Sequence, residues 1–115
     1  ANEQEIIALY QAENVHDALA RARSDCKLVA VTRSAEGSLV ATGDGVHQVG
    51  AAPVERVVDT TGAGDLYAAG FLFGITHGHS IATCGRIGAI AAGEIISHIG
   101  ARPETDLQEL VRRTL

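Results

Sequence analysis

Asp59-Thr60-Thr61-Gly62-Ala63-Gly64-Asp65 runs directly into Leu66-Tyr67-Ala68-Ala69-Gly70-Phe71, and the fold turns on what this stretch does. Gly62 and Gly64 permit a tight turn that aims backbone amides at one spot, and the apolar run after them has helical spacing. The first-turn amides of such a helix are unpaired and carry the positive end of its dipole, so the turn suits an anion. A carboxylate at its mouth would repel a resting phosphate. Asp65 therefore fits proton removal from a weakly acidic hydroxyl as its oxygen attacks phosphorus, while the amides stabilise the transferred charge. Taken alone, a Gly-Ala-Gly-Asp turn also fits a plain strand-to-helix connection with the Asp as a cap.

Outward from this turn, Val54–Val58 reads as a strand leading in, and Leu66, Ala69, Gly70 and Phe73 mark the apolar face of the helix leading out. Gly70 and Gly74 lie one turn apart and leave room for another backbone. His77-Gly78-His79 lacks a third ligand at fixed spacing and reads as a loop. Ser80 caps a second helix that runs towards Ile99, and its many Ala and Gly residues imply tight packing, with Cys84 as a small core residue. Gly100 stands where a left-handed C-cap would be, and Pro103 blocks continuation. Thr105-Asp106-Leu107-Gln108 fits a capping box that opens a last amphipathic helix with Leu107, Leu110 and Val111 on one side.

Upstream, residues 3–24 hold two short helices, the second capped by Asn14 accepting from the amide of Asp17. Leu28-Val29-Ala30-Val31-Thr32 reads as a strand buried on both faces, as in parallel sheets. Gly37–Ala41 and Val46–Val49 form a hairpin across Thr42-Gly43-Asp44-Gly45, which supplies the positive-φ positions of the turn. The order of helices, strands and further helices is an α/β layout.

Composition narrows the function. With 115 residues, a formal charge of −5 and no basic run, the chain has none of the cationic footprint that nucleic acid requires. The longest apolar stretches, such as Ala89–Ala92, fall far short of the roughly 20 residues of a membrane helix, and no basic-then-apolar leader opens the chain. Cys26 and Cys84 have no metal-ligand spacing and fit mostly buried free thiols in a reducing compartment, so a soluble, cytoplasmic chain is expected. The chain has no Met, and Ala1-Asn2-Glu3 reads like the middle of a longer protein.

The stretch from Asp59 to Phe71 resembles the C-terminal signature of the ribokinase-like carbohydrate kinases, the PfkB family, which includes adenosine kinases. The resemblance implies a three-layer α/β/α fold, of which residues 1–115 are only the C-terminal half, the ATP-binding and catalytic portion. It makes Asp65 the catalytic base, and Gly62, Ala63 and Gly64 the anion hole. Asn2-Glu3-Gln4-Glu5 is similar to the family's Asn-x-x-Glu motif, so Glu5 with Asn2 is expected to place Mg²⁺ through water. Val31-Thr32-Arg33-Ser34-Ala35-Glu36-Gly37 looks like the strand and turn that line the ATP site, which gives nucleotide contacts to Thr32, Ser34 and Gly37 besides Gly62 and Gly64; the family often has Gly at the position of Ser34. Ile96–Pro103 resembles the family's ending, near which many members bind a monovalent cation such as K⁺ through carbonyls and the first Asp of the signature, here Asp59.

Family members are more than twice this length. The part expected beyond these residues carries the acceptor pocket and a sheet lid through which members form homodimers. The expected function is ATP-dependent transfer of the γ-phosphoryl group to a primary hydroxyl of a sugar or nucleoside, the ending favouring an adenosine-like acceptor. The alternative is a nucleotide- or anion-binding fragment without turnover.

Overall fold

Two asparagines start the chain's first helices. In the computed structural model, which describes residues 1–115, Asn2 Oδ1 accepts the Glu5 amide at 2.7 Å and Glu5 Oε1 accepts the Asn2 amide at 2.9 Å. This reciprocal capping box opens α1 (Glu3–Tyr10). Asn14 Oδ1 accepts the Asp17 amide at 2.9 Å and opens α2 (Val15–Asp25), as its spacing predicts. The apolar faces of both helices, with Ile6, Val15, Ala18, Leu19 and Ala22, pack on Val31, Leu39 and Ala41 of the sheet.

The sheet has three antiparallel strands in the order β1 (Leu28–Thr32), β2 (Ser38–Thr42), β3 (Gly45–Val49). Side chains alternate along β2, so Leu39 and Ala41 face the first helix pair while Val40 joins the cluster of Val49, Tyr67, Phe71 and Cys84 on the other face. The doubly buried strand is thus β2. β1, expected to be buried on both faces in a parallel sheet, instead pairs antiparallel with β2 at the end of the strand order and has only Val31 fully buried. The parallel element is the segment entering α1: Thr32 N donates to Ala1 O at 3.0 Å, and Asn2 and Thr32 form a parallel bridge. The hairpin pairs Thr42 with Gly45, yet its two loop residues keep negative φ, and the positive φ falls on Gly45 at the head of β3.

Val54–Val58 forms no strand. The amides of Val58 and Asp59 both donate to Ile96 O, at 2.7 and 3.2 Å, instead of joining a ladder. α3 (Ala63–Thr76) buries Tyr67, Gly70, Phe71 and Gly74, so its inner face is rotated from the expected one and Ala69 is exposed. Tyr67 explains the rotation: its ring lies in the core and its hydroxyl donates to the buried Ser38 Oγ at 2.7 Å.

Ser80 caps α4 (Ile81–Ile96), which ends three residues short of Ile99. The Ile96 carbonyl is already taken by Val58 and Asp59, and the Gly100 amide that would have continued the ladder donates to Asp59. Gly100 has φ +101° but lies in the turn beyond the helix. α5 (Leu107–Thr114) is capped by Asp106, which accepts the Glu109 amide, one residue later than the expected Thr105 box. Of the two thiols Cys84 is buried, and burial pushes its pKa up; Cys26 is exposed. No helix is long and apolar enough to cross a membrane.

α3 and α4 touch backbone to backbone. A Cβ at Gly88 would lie 2.9 Å from Tyr67 O and 3.0 Å from its ring. Gly88→Ala is expected to destabilise the intact protein by about 2 kcal/mol, as overpacked cores do. Urea unfolding with an unchanged midpoint would count against this contact.

Candidate active site

The signature residues gather at the start of α3. Gly62 is its N-cap, with φ +81° and no side chain to cap the exposed amides. The Ala63 amide donates to Thr60 O at 3.2 Å, whereas those of Gly62, Gly64 and Asp65 have no acceptor in the chain. Of the expected trio of amides, those of Gly62 and Gly64 are thus unpaired and that of Ala63 is engaged, while the neighbouring Asp65 amide is unpaired too. Asp65 is the third residue of the helix and its side chain is exposed. A Cβ at Gly64 would meet nothing within 4 Å, so the approach to these amides is open. The positive helix end and the free donors favour an anion there.

Asp59 closes the turn from the other side. Its Oδ1 accepts the Thr61 hydroxyl at 2.7 Å and the Thr61 amide at 3.0 Å, and its Oδ2 accepts the Gly100 amide at 3.2 Å. These bonds, the Thr61 hydroxyl foremost, hold its carboxyl below the ordinary carboxylate range. Asp59 is an ionised brace, and its carboxylate belongs to the class of hard oxygen ligand that a cation takes.

A second group lies between α1 and the end of β1. Asn2, Glu3, Gln4, Thr32, Arg33, Ser34, Ala35 and Glu36 line a cleft of about 450 Å³. It brings together Asn2, Thr32 and Ser34 of the expected contacts. Gly37 lies in the same turn, at φ +88°, with its amide on Ser34 O. Glu5 is exposed next to the cleft, with Oε1 held by the Asn2 amide and Oε2 free. No hydrogen bond joins this group to the α3 group. Arg33, to which the sequence reading gave no role, donates to Glu3 Oε2 at 2.6 Å and pairs with Glu36 at 2.8 Å; Glu3 raises its pKa further. The Asn-x-x-Glu spacing was itself a signal of the capping box that Asn2 and Glu5 form.

Ser34 has φ +53°, a left-handed conformation that a side chain strains. Ser34→Gly is expected to raise stability by about 0.5–1 kcal/mol, relief of strain outweighing the entropy that Gly gains when unfolded. A lower denaturation midpoint would contradict this.

Also unforeseen is a cluster at the end of α4. Glu94 and His98, four residues apart, are bonded at 2.6 Å, with Glu104 beside them. The four-residue spacing was visible in the sequence.

A family model described as "pfkB family carbohydrate kinase" matches residues 1–107. An uncharacterized sugar kinase of Archaeoglobus fulgidus is 42% identical over 103 residues, covering 88% of this chain and 40% of the relative. The crystal structure of an adenosine kinase from Sinorhizobium meliloti superposes with a TM-score of 0.95 at 52% identity, over 99% of this chain and 35% of that one. The Arabidopsis thaliana ribokinase complexed with ribose and ATP superposes with a TM-score of 0.84 at 29% identity, over 96% of this chain and 38% of that one. These likenesses establish the ribokinase-like α/β fold, and the chain spans about 40% of the length of the sugar kinase that it matches.

Proposed function

The chain belongs to the pfkB family of carbohydrate kinases, and from that membership we propose that it is the ATP-binding and catalytic portion of a kinase that phosphorylates a primary hydroxyl of a nucleoside or sugar. The observation that carries the proposal is the α3 start, where the exposed Asp65 carboxylate stands in the same turn as three unpaired amides. Asp65 accepts the proton of the attacking hydroxyl. Meanwhile the amides of Gly62, Gly64 and Asp65 take up charge on the phosphoryl group as it passes from ATP to the acceptor oxygen. Among the expected donors Ala63 contributes shape, since its amide is engaged with Thr60.

The cleft of Asn2, Thr32 and Ser34, with Gly37 shaping its turn, takes the nucleotide. Oxygens at Asn2 and Glu5 suit magnesium held through water, and Glu5 Oε2 is the free carboxylate oxygen of that pair. Magnesium would offset phosphate charge during transfer. Asp59 would hold a K⁺ ion if one binds. The 52% identity with an adenosine kinase favours a nucleoside acceptor. The pocket for the acceptor, and any homodimer contact, are assigned to the additional length that the relatives have.

The test is a panel of nucleosides and sugars offered with ATP and Mg²⁺ to the intact protein, read as monophosphate product. Turnover of adenosine or a related nucleoside is expected. Nucleotide binding without product from any acceptor would overturn the kinase reading and favour a binding module.

A further inference from the structure

Glu94 is the buried acidic residue of the core, 8% exposed, in the last turn of α4. Its Oε1 accepts from His98 Nε2 at 2.6 Å and from the Glu104 amide at 3.0 Å, while Oε2 is buried with no partner. His98 Nδ1 faces Ile99 O at 3.2 Å and Glu104 Oε1 at 3.6 Å. Both imidazole nitrogens thus meet acceptors, an arrangement that only the doubly protonated ring satisfies. Burying a half-satisfied carboxylate is expensive, and an apolar residue would fill the space at less cost.

What Glu94 holds is the turn from Ser97 to Glu104, gripped near both ends through His98 and the Glu104 amide. The middle of that turn supports the phosphate-turn segment. The Gly100 amide donates to Asp59 Oδ2 at 3.2 Å, and Ala101 packs so closely on Gly62 that a Cβ there would be 3.0 Å from Ala101 Cβ. At the turn's root, Ile96 O accepts the amides of Val58 and Asp59. Glu94 is therefore linked to the anion-binding turn by the segment it clamps.

We propose that Glu94, together with His98, is a positioning residue for the Asp59–Asp65 turn: it fixes the 97–104 segment that braces Asp59 and Gly62, and so governs phosphoryl transfer without touching a reacting group. The activity readout rests on the kinase reading above; the backbone readout does not. Glu94→Ala and Glu94→Gln are compared in the intact protein, Gln retaining an oxygen acceptor for the Glu104 amide.

In Glu94→Ala, kcat is expected to fall about 10–100-fold with both KM values within about twofold of the parent, as a misplaced catalytic turn predicts, and Glu94→Gln is expected to recover most of the loss. Amide exchange at Thr61 and Gly100, followed by NMR, is expected to quicken about tenfold in Glu94→Ala with β1–β3 unchanged. If Glu94→Ala does not fold, His98→Gln takes its place with the same expected rise at Thr61. Unchanged exchange at Thr61, or a kcat within about twofold of the parent, overturns the proposal. A parent protein inactive on every acceptor, with Thr61 exchange still quickened in the variant, overturns the kinase reading alone and leaves the positioning role standing.

Discussion

Asp65→Asn in the intact protein is expected to reduce kcat for phosphoryl transfer by about 10³-fold, within the span of general-base contributions. The amide has nearly the same shape and leaves the turn's backbone donors in place, but it cannot accept the proton of the attacking hydroxyl. Nucleotide affinity should therefore hold or rise slightly, because a negative charge beside the phosphates is removed. Stability should change by under about 1 kcal/mol, since the carboxylate is exposed and its interaction with the helix end is all that is lost. Steady-state kinetics with ATP and a nucleoside acceptor decide the matter. A variant that keeps more than about a tenth of the parent rate would show that the proton leaves by another route.

The largest effect on stability is expected from Gly37→Ala. Gly37 has φ +88° and ψ −132°, and a Cβ there would lie 2.0 Å from Val49 O and 2.9 Å from the Ala51 amide. Neither obstacle is the movable end of a side chain. Either β3 must peel from its place or the turn that links β1 to β2 must reopen, losing the 2.7 Å bond from Arg33 N to Gly37 O. Backbone strain and overpacking together put the loss at about 3–5 kcal/mol. Guanidinium unfolding would show it, and a loss below about 1 kcal/mol would mean that the turn is more compliant than its contacts suggest.

The parts of the fold legible in the sequence are those fixed by near neighbours. Asn14 and Ser80 are caps whose amide donors lie three residues away, and the Thr42–Gly45 hairpin is closed by its own loop. Apart from the exact cap of α5 and the φ values of the hairpin loop, what escaped depends on contacts remote in the chain. Val54–Val58 has strand composition, but strand structure needs a ladder partner, and its neighbour is a helix end. α4 stops at Ile96 because the carbonyl there is claimed from residues nearly forty positions upstream. The inner face of α3 follows Tyr67, whose reach to Ser38 no periodicity reveals. Likewise Asp65 and the glycines of its turn stood out by spacing. The engaged Ala63 amide and the grip of Glu94 on the Glu104 amide depend on backbone geometry that spacing does not encode.

β2 separates two small cores, and the two halves of the candidate site ride on opposite sides of it. The cleft proposed for the nucleotide is seated by α1 and β1 against Leu39 and Ala41, while the helix that carries Asp65 rests on Ser38 and the cluster around Val40. β2 therefore acts as a spacer gauge. On the proposed function, side-chain volume along this one strand would set how far the nucleotide and Asp65 stand apart, because close-packed interiors pass on a change of one methylene. Reaction geometry can in this way be tuned from positions that never meet a substrate, and evolution of a new acceptor preference need not begin at its pocket.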